Sequence, residues 1–78
     1  MNIEVYGKED CTYCARTKQL LESKNLTYDY FDVEVDATLN EASAFRAGGY
    51  RKVPRIFIDN QFIAGYDGLR DWLKKQAA

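Results

Sequence analysis

Cys11 and Cys14 are the only cysteines in the chain, separated by Thr12 and Tyr13. They sit where an apolar strand pattern hands over to a helical one. Two thiols three residues apart at a helix start can close a disulfide without disturbing the backbone, with Cα atoms roughly 5–6 Å apart. The partly positive end of the helix favours a thiolate on the sulfur beside it. The spacing therefore reads first as an exchangeable thiol–disulfide pair. The competing reading is a structural staple. A staple here closes a loop worth only roughly 2 kcal/mol by chain entropy. Staples in small secreted domains are usually several and longer-range.

Histidine is absent. That removes a His-assisted nucleophile and His-containing zinc sites, and two cysteines do not complete a four-ligand zinc site. No metal is expected, and the chemistry narrows to the thiols. The net charge of −1 gives no nucleic-acid signature. No apolar run approaches the roughly 20 residues of a membrane span. Glu4, Lys8, Glu9 and Asp10 interrupt the N-terminus too early for a signal peptide. A reducing cytoplasmic location is the expectation. With 78 residues, 46% hydrophobic and 29% charged, residues 1–78 read as one small globular domain.

Charge is distributed unevenly. Asp29, Asp32, Glu34, Asp36 and Glu41 occur between Leu26 and Glu41 with no basic residue, whereas Arg46, Arg51, Lys52 and Arg55 occur between Ala42 and Arg55 with no acid. One reading is two solvated faces of opposite sign; the other is a cationic rim that attracts a small anionic substrate.

The elements that must position the thiols follow from periodicity. Asn2–Tyr6 alternates as a short half-buried strand, and residues 7–10 form a loop. A helix is predicted from Thr12 to about Lys24, with Cys14, Thr17 and Leu21 on one stripe, Leu20 beside it and Asn25 at its end. Thr27–Val35 alternates as a second strand. Asp36 caps a second helix with Leu39, Ala42 and Phe45 recurring every three residues, and Gly48-Gly49 stops it. Arg55–Asp59 and Gln61–Ala64 are strands around an Asp59-Asn60 turn. Residues 65–68 turn into a last helix with Leu69, Trp72 and Leu73 facing inward. The order β-α-β-α-β-β-α predicts an α/β fold with a four-stranded mixed sheet flanked by helices, beginning with a right-handed parallel crossover.

A CxxC opening the first helix of this order resembles the thioredoxin fold, and further motifs narrow the resemblance. Tyr6, Lys8, Cys11, Tyr13 and Cys14 look like the active-site strand and loop of glutaredoxins. Val53-Pro54-Arg55-Ile56-Phe57-Ile58 resembles that family's Val-Pro segment, and Ala64-Gly65-Tyr66-Asp67-Gly68-Leu69 resembles its Gly-Gly-x-Asp-x-Leu segment. The ending Asp67-Gly68-Leu69-Arg70-Asp71-Trp72-Leu73-Lys74 looks most like short dithiol glutaredoxins of bacteria and their phages. The resemblance covers nearly the whole chain.

Cys11 is then expected as nucleophile, with the amides of Tyr13 and Cys14 pointing toward its sulfur. Cys14, one turn deeper, is the resolving thiol. A free thiol with a pKa of about 8.5 is only a few per cent thiolate at neutrality. The helix end contributes about 0.3–2 kcal/mol, so amide hydrogen bonds and Lys8 across the loop are expected to supply the rest. Glu9 and Asp10 oppose this unless they point outward. Tyr13 reads as a wall beside the sulfur or as an ordinary exposed aromatic. The resemblance implies a cis Val53–Pro54 bond that turns the Val53 backbone toward the thiols, where it can pair with an extended substrate.

Asp67 reads as a helix N-cap and, by resemblance, as the receptor of the amino end of glutathione. Gly65 allows close backbone approach, and Lys8, Tyr13, Val53, Pro54 and Tyr66 complete the glutathione-binding set that the resemblance implies. Three departures from the family stand out. Thr12 replaces a common proline, Ala64 replaces the first glycine of the pair, and Glu41 falls near a position where relatives place a cation or Gln for a glutathione carboxylate. Arg46, Arg51 or Lys52 are the candidates to compensate.

The resemblance implies a glutathione-dependent oxidoreductase reducing protein disulfides and glutathione mixed disulfides. It also implies a monomer able to donate electrons to ribonucleotide reductase. Reduction by thioredoxin reductase and iron–sulfur cluster carriage are the alternatives.

Overall fold

A computed structural model describes residues 1–77. In chain order the elements are β1 (Ile3–Gly7), α1 (Thr12–Ser23), β2 (Asp29–Asp32), α2 (Ala37–Arg46), β3 (Arg55–Ile58), β4 (Gln61–Phe62) and α3 (Tyr66–Ala77). One sheet runs β2-β1-β3-β4. β1 pairs parallel with β2 and antiparallel with β3, and β3 pairs antiparallel with β4. The mixed sheet and its flanking helices are those expected, and the architecture is the thioredoxin-like fold. Among the described residues no helix is long and apolar enough to cross a membrane.

β1 was expected to be half-buried, but it lies inside the sheet and buries both faces. Ile3 and Val5 join Leu21, Ile56, Ile58 and Leu69 in one core, which packs α1 and α3 on that side. Tyr6 joins Val33 and Phe57 in a second core on the opposite face, under Leu39 of α2. Helices therefore cover both faces, with the redox loop emerging where β1 ends.

The helix ends follow local chemistry. Asp36 Oδ1 accepts the amides of Thr38 and Leu39 at 2.9 and 3.1 Å, the expected cap. α1 ends as Asn25 enters the left-handed region (φ 57°), and the Leu26 amide bonds back to the Leu21 carbonyl. Asp59 and Asn60 both take positive φ (49° and 69°), as a two-residue turn between antiparallel strands requires.

Further expectations need correction, and β4 is Gln61–Phe62 rather than Gln61–Ala64. The second strand spans Asp29–Asp32 rather than Thr27–Val35. Asp32 Oδ1 accepts the amides of Glu34 and Val35 at 2.8 and 3.3 Å, which folds the chain into a side-chain-closed turn and leaves Val35 exposed. In α2 the inward face is Leu39, Ser43 and Ala44, while Ala42 and Phe45 point outward; Phe45 is 85% exposed. A strict three-residue repeat drifts around a 3.6-residue helix. The phase is instead set by Ser43 and Asn40, which hold the buried Arg55 guanidinium.

Candidate active site

Cys11 is the N-cap residue of α1, with extended backbone (φ −148°, ψ 110°). Its Sγ accepts the Cys14 amide at 3.1 Å, one of the two donors expected there. The two cysteines are joined as a disulfide with Cα atoms 5.2 Å apart. Cys11 is half-buried and Cys14 is 1% exposed. One sulfur thus faces outward at the helix tip while the other is sealed a turn below. The sealing stripe is the one read from periodicity: Cys14, Thr17 and Leu21. Thr17 satisfies its buried hydroxyl by donating to the Tyr13 carbonyl at 2.7 Å. Glu9 and Asp10 are exposed, away from the packed side of the loop.

Gly7 explains how the strand meets the pair. A methyl placed on its Cα would lie 2.8 Å from Cys14 Sγ and 2.5 Å from the Tyr30 hydroxyl. Only a residue without a side chain lets β1 pass this close. No signal in the sequence alone marked that role.

Beside the pair lies a groove of about 470 Å³. Tyr13, Val53, Pro54, Gly65, Tyr66 and Asp67 line it, all six named from sequence. Lys8 does not. It is half-buried in the β1–α1 loop, where its carbonyl accepts the Tyr30 hydroxyl at 3.2 Å. The Val53–Pro54 bond is cis. Tyr13 is 51% exposed, and its ring centroid lies 5.7 Å from that of Tyr66, so the two rings flank the groove together.

Tyr50, Lys52, Ala64 and Gly68 line the groove as well; nothing in the sequence, where Lys52 is only one cation among several, assigns them to it. Ala64 adopts φ 74°, the conformation for which a glycine is the usual residue. Gly68 sits against the Ile63 carbonyl, where a Cβ would collide with backbone. α3 therefore begins tight against the end of the hairpin. Asp67 is not the cap of that helix, because α3 starts at Tyr66 and the Gly65 carbonyl accepts the Leu69 amide at 3.0 Å. Its carboxylate is left exposed at the groove.

The expected cationic rim resolves into separate tasks. Arg46 pairs with Glu4 at 3.0 Å and lies 4.1 Å over the Phe57 ring. That guanidinium, by hydrogen bonding, holds the Glu4 carboxyl below the usual carboxylate range. Arg51 forms a two-bond pair with Glu41 at 2.8 and 3.0 Å, which lowers Glu41 in the same way. Arg55 is 2% exposed and donates to the carbonyls of Tyr50, Asn40 and Arg51 and to the side chains of Asn40 and Ser43. Burial pulls its guanidinium down from the ordinary arginine value. Of the four cations, Lys52 alone lines the groove.

Comparisons with known proteins agree with this geometry. The sequence model of the glutaredoxin family matches residues 3–63. The chain is 43% identical over 68 residues to glutaredoxin 3 of Escherichia coli K12, covering 87% of this chain and 81% of that protein. The reduced E. coli glutaredoxin structure superposes with a TM-score of 0.83 at 31% identity, over 99% of this chain and 98% of that one. A buckwheat glutaredoxin–glutathione complex superposes with a TM-score of 0.81 at 25% identity, over 95% of this chain and 69% of that one. With a helix-capping cysteine bonded to a buried partner, and with these relatives, the chain belongs to the glutaredoxin family and is a thiol–disulfide oxidoreductase.

Proposed function

We propose that this protein is a dithiol, glutathione-dependent reductase of protein disulfides and glutathione mixed disulfides, acting as a cytoplasmic monomer. The observation that carries the reading is the groove beside the thiols, which presents one cation (Lys52) and one carboxylate (Asp67) along a wall of Tyr13, Val53 and Pro54. That pattern suits a small extended peptide bearing both an ammonium and carboxylates. Asp67 takes the amino end and Lys52 a carboxylate. Glu41, the residue that argued against an anionic ligand, is bonded to Arg51 and is absent from the groove lining. The buckwheat relative was solved as a glutathione complex, which supports the same reading.

Cys11 thiolate attacks the substrate disulfide and expels one thiolate, leaving a mixed disulfide on Cys11. Either Cys14 attacks Cys11 Sγ, which closes the Cys11–Cys14 disulfide and releases the substrate as a thiol, or glutathione attacks the outer sulfur of a Cys11–glutathione mixed disulfide, which releases the Cys11 thiolate and oxidised glutathione. The Cys14 amide, which donates to Cys11 Sγ in the disulfide, is placed to meet the charge on that sulfur when Cys11 is a thiolate. Ribonucleotide reductase, which must be re-reduced after turnover, is a proposed protein substrate.

The test is glutathione-coupled reduction of a mixed disulfide. Cys11→Ser abolishes all exchange, while Cys14→Ser keeps mixed-disulfide reduction and loses dithiol reduction of proteins. No turnover at millimolar glutathione removes the proposal, and faster reduction by thioredoxin reductase replaces it.

A further inference from the structure

The sealed sulfur has a polar neighbour that the exchange reaction so far leaves unused. The Tyr30 hydroxyl oxygen and Cys14 Sγ lie 2.5 and 2.8 Å from one point, the position of a methyl on Gly7. Their separation is therefore no greater than the sum of those distances. The parallel register of β1 and β2, which sets Gly7 opposite Asp32 and Val5 opposite Tyr30, brings this phenol to the end of the strand. Its present acceptor is the Lys8 carbonyl at 3.2 Å, long for an O–H donor, whose usual distance is about 2.7–2.8 Å. A long bond is readily exchanged for one to an anion.

We propose that the Tyr30 hydroxyl turns from the Lys8 carbonyl to donate a hydrogen bond to the Cys14 thiolate during the resolving step. Cys14 is 1% exposed, and burial of this kind disfavours a thiolate unless a donor meets it. Tyr30 fits a donor rather than a base. Burial, then the charges of Asp32 and Glu9, push its phenol up, so it keeps its proton at neutrality. The other groups around it are Tyr28, and the Lys18 ammonium 4.3 Å over its ring.

With a substrate sulfur on Cys11, the Cys14 thiol gives its proton to water, and the thiolate attacks Cys11 Sγ. The Cys11–Cys14 bond forms, and the bond from Cys11 to the substrate sulfur breaks. The electron pair leaves on the substrate thiolate, which takes a proton from water. Tyr30 returns to Lys8 with its own proton.

The proposal rests on the roles assigned to Cys11 and Cys14 but not on glutathione, so the test uses dithiobis(nitrobenzoate). The reduced protein releases one coloured thiolate when Cys11 attacks, in a phase that depends on reagent concentration. It releases a second when Cys14 resolves, in a phase that does not. Tyr30→Phe keeps the ring and removes the hydroxyl. The first phase should be unchanged and the second about tenfold slower at pH 7, the loss of one hydrogen bond to a charged group. The rising limb of the second phase should move to higher pH. At high pH the two proteins should converge or cross, because the less stabilised thiolate is the stronger nucleophile.

A second phase with unchanged rate and pH profile overturns the proposal. So does slowing by the same factor at every pH, which is what loosened packing produces. Replacing Tyr30 by 3-fluorotyrosine, a stronger donor, should move the limb to lower pH, and movement upward or none overturns the proposal independently of folding. Absence of the first release in the wild type would overturn the role of Cys11, and this proposal with it.

Discussion

Arg55→Met removes a buried cation held by neutral oxygens while keeping most of its aliphatic stem. The variant loses donors to three carbonyls, to Asn40 Oδ1 and to Ser43 Oγ. A bond to a charged donor contributes about 1.5–3 kcal/mol. Five such terms cannot simply be summed, because removing the guanidinium also recovers its desolvation cost. The oxygens left behind decide the remainder. Ser43 still donates to the Leu39 carbonyl at 2.7 Å, and the partly buried carbonyls can turn to water. The net loss is about 2–4 kcal/mol, a large share of the roughly 4–12 kcal/mol ordinary for this length.

In urea, with a slope of about 1 kcal/mol per M, the midpoint should fall by about 2–4 M. Arg46→Met is the comparison. That side chain is 35% exposed, and its ion pair contributes about 1 kcal/mol or less. A midpoint for Arg55→Met no lower than for Arg46→Met would refute the argument that burial makes Arg55 the anchor. The Tyr50 carbonyl is one of its acceptors and Tyr50 lines the groove, so KM for glutathione should rise as well.

Three further outcomes are expected. Ala64→Gly should stabilise the fold by about 0.5–1 kcal/mol, since an alanine at φ 74° carries a left-handed penalty that exceeds the entropy lost by glycine; a lower thermal midpoint would contradict this. Lys52→Gln should raise KM for glutathione about two- to fivefold at low salt, with the difference shrinking as salt rises; the same change at Lys74, which is outside that groove, should leave KM alone. Burial, then the hydrogen bond to Glu22, pushes the Tyr28 phenol up to about 12. Its neutral form is favoured on folding, so that stability is whole below pH 10 and lost as pH climbs toward 12. The phenolate absorbance missing from Tyr28→Phe should therefore appear above pH 11, and its appearance near 10 would refute the cause.

What the sequence revealed and what it hid divide along a physical line. Local signals were legible: the α1 stripe, the Asp36 cap, the Asp59-Asn60 turn and the cysteine pair each depend on residues close in sequence. Six groove residues were also legible, because motifs carried them in register. What escaped depended on distant contacts. The α2 face is fixed by Arg55, twelve residues beyond Ser43, and no helical repeat encodes that. Lys52 could not be separated from Arg46, Arg51 and Arg55 until their acids and acceptors were placed. The early end of β2 was local, but an alternating apolar pattern outweighed the turn chemistry of Asp32.

The two outer strands of the sheet are short, four residues in β2 and two in β4. Each offers a neighbouring molecule only a few unpaired amides, and β2 carries aspartate at both ends. Such rims give little for a second chain to zip onto, which guards against edge-to-edge aggregation. A thiol–disulfide oxidoreductase with such edges can approach an extended strand without continuing its own sheet into a fibril.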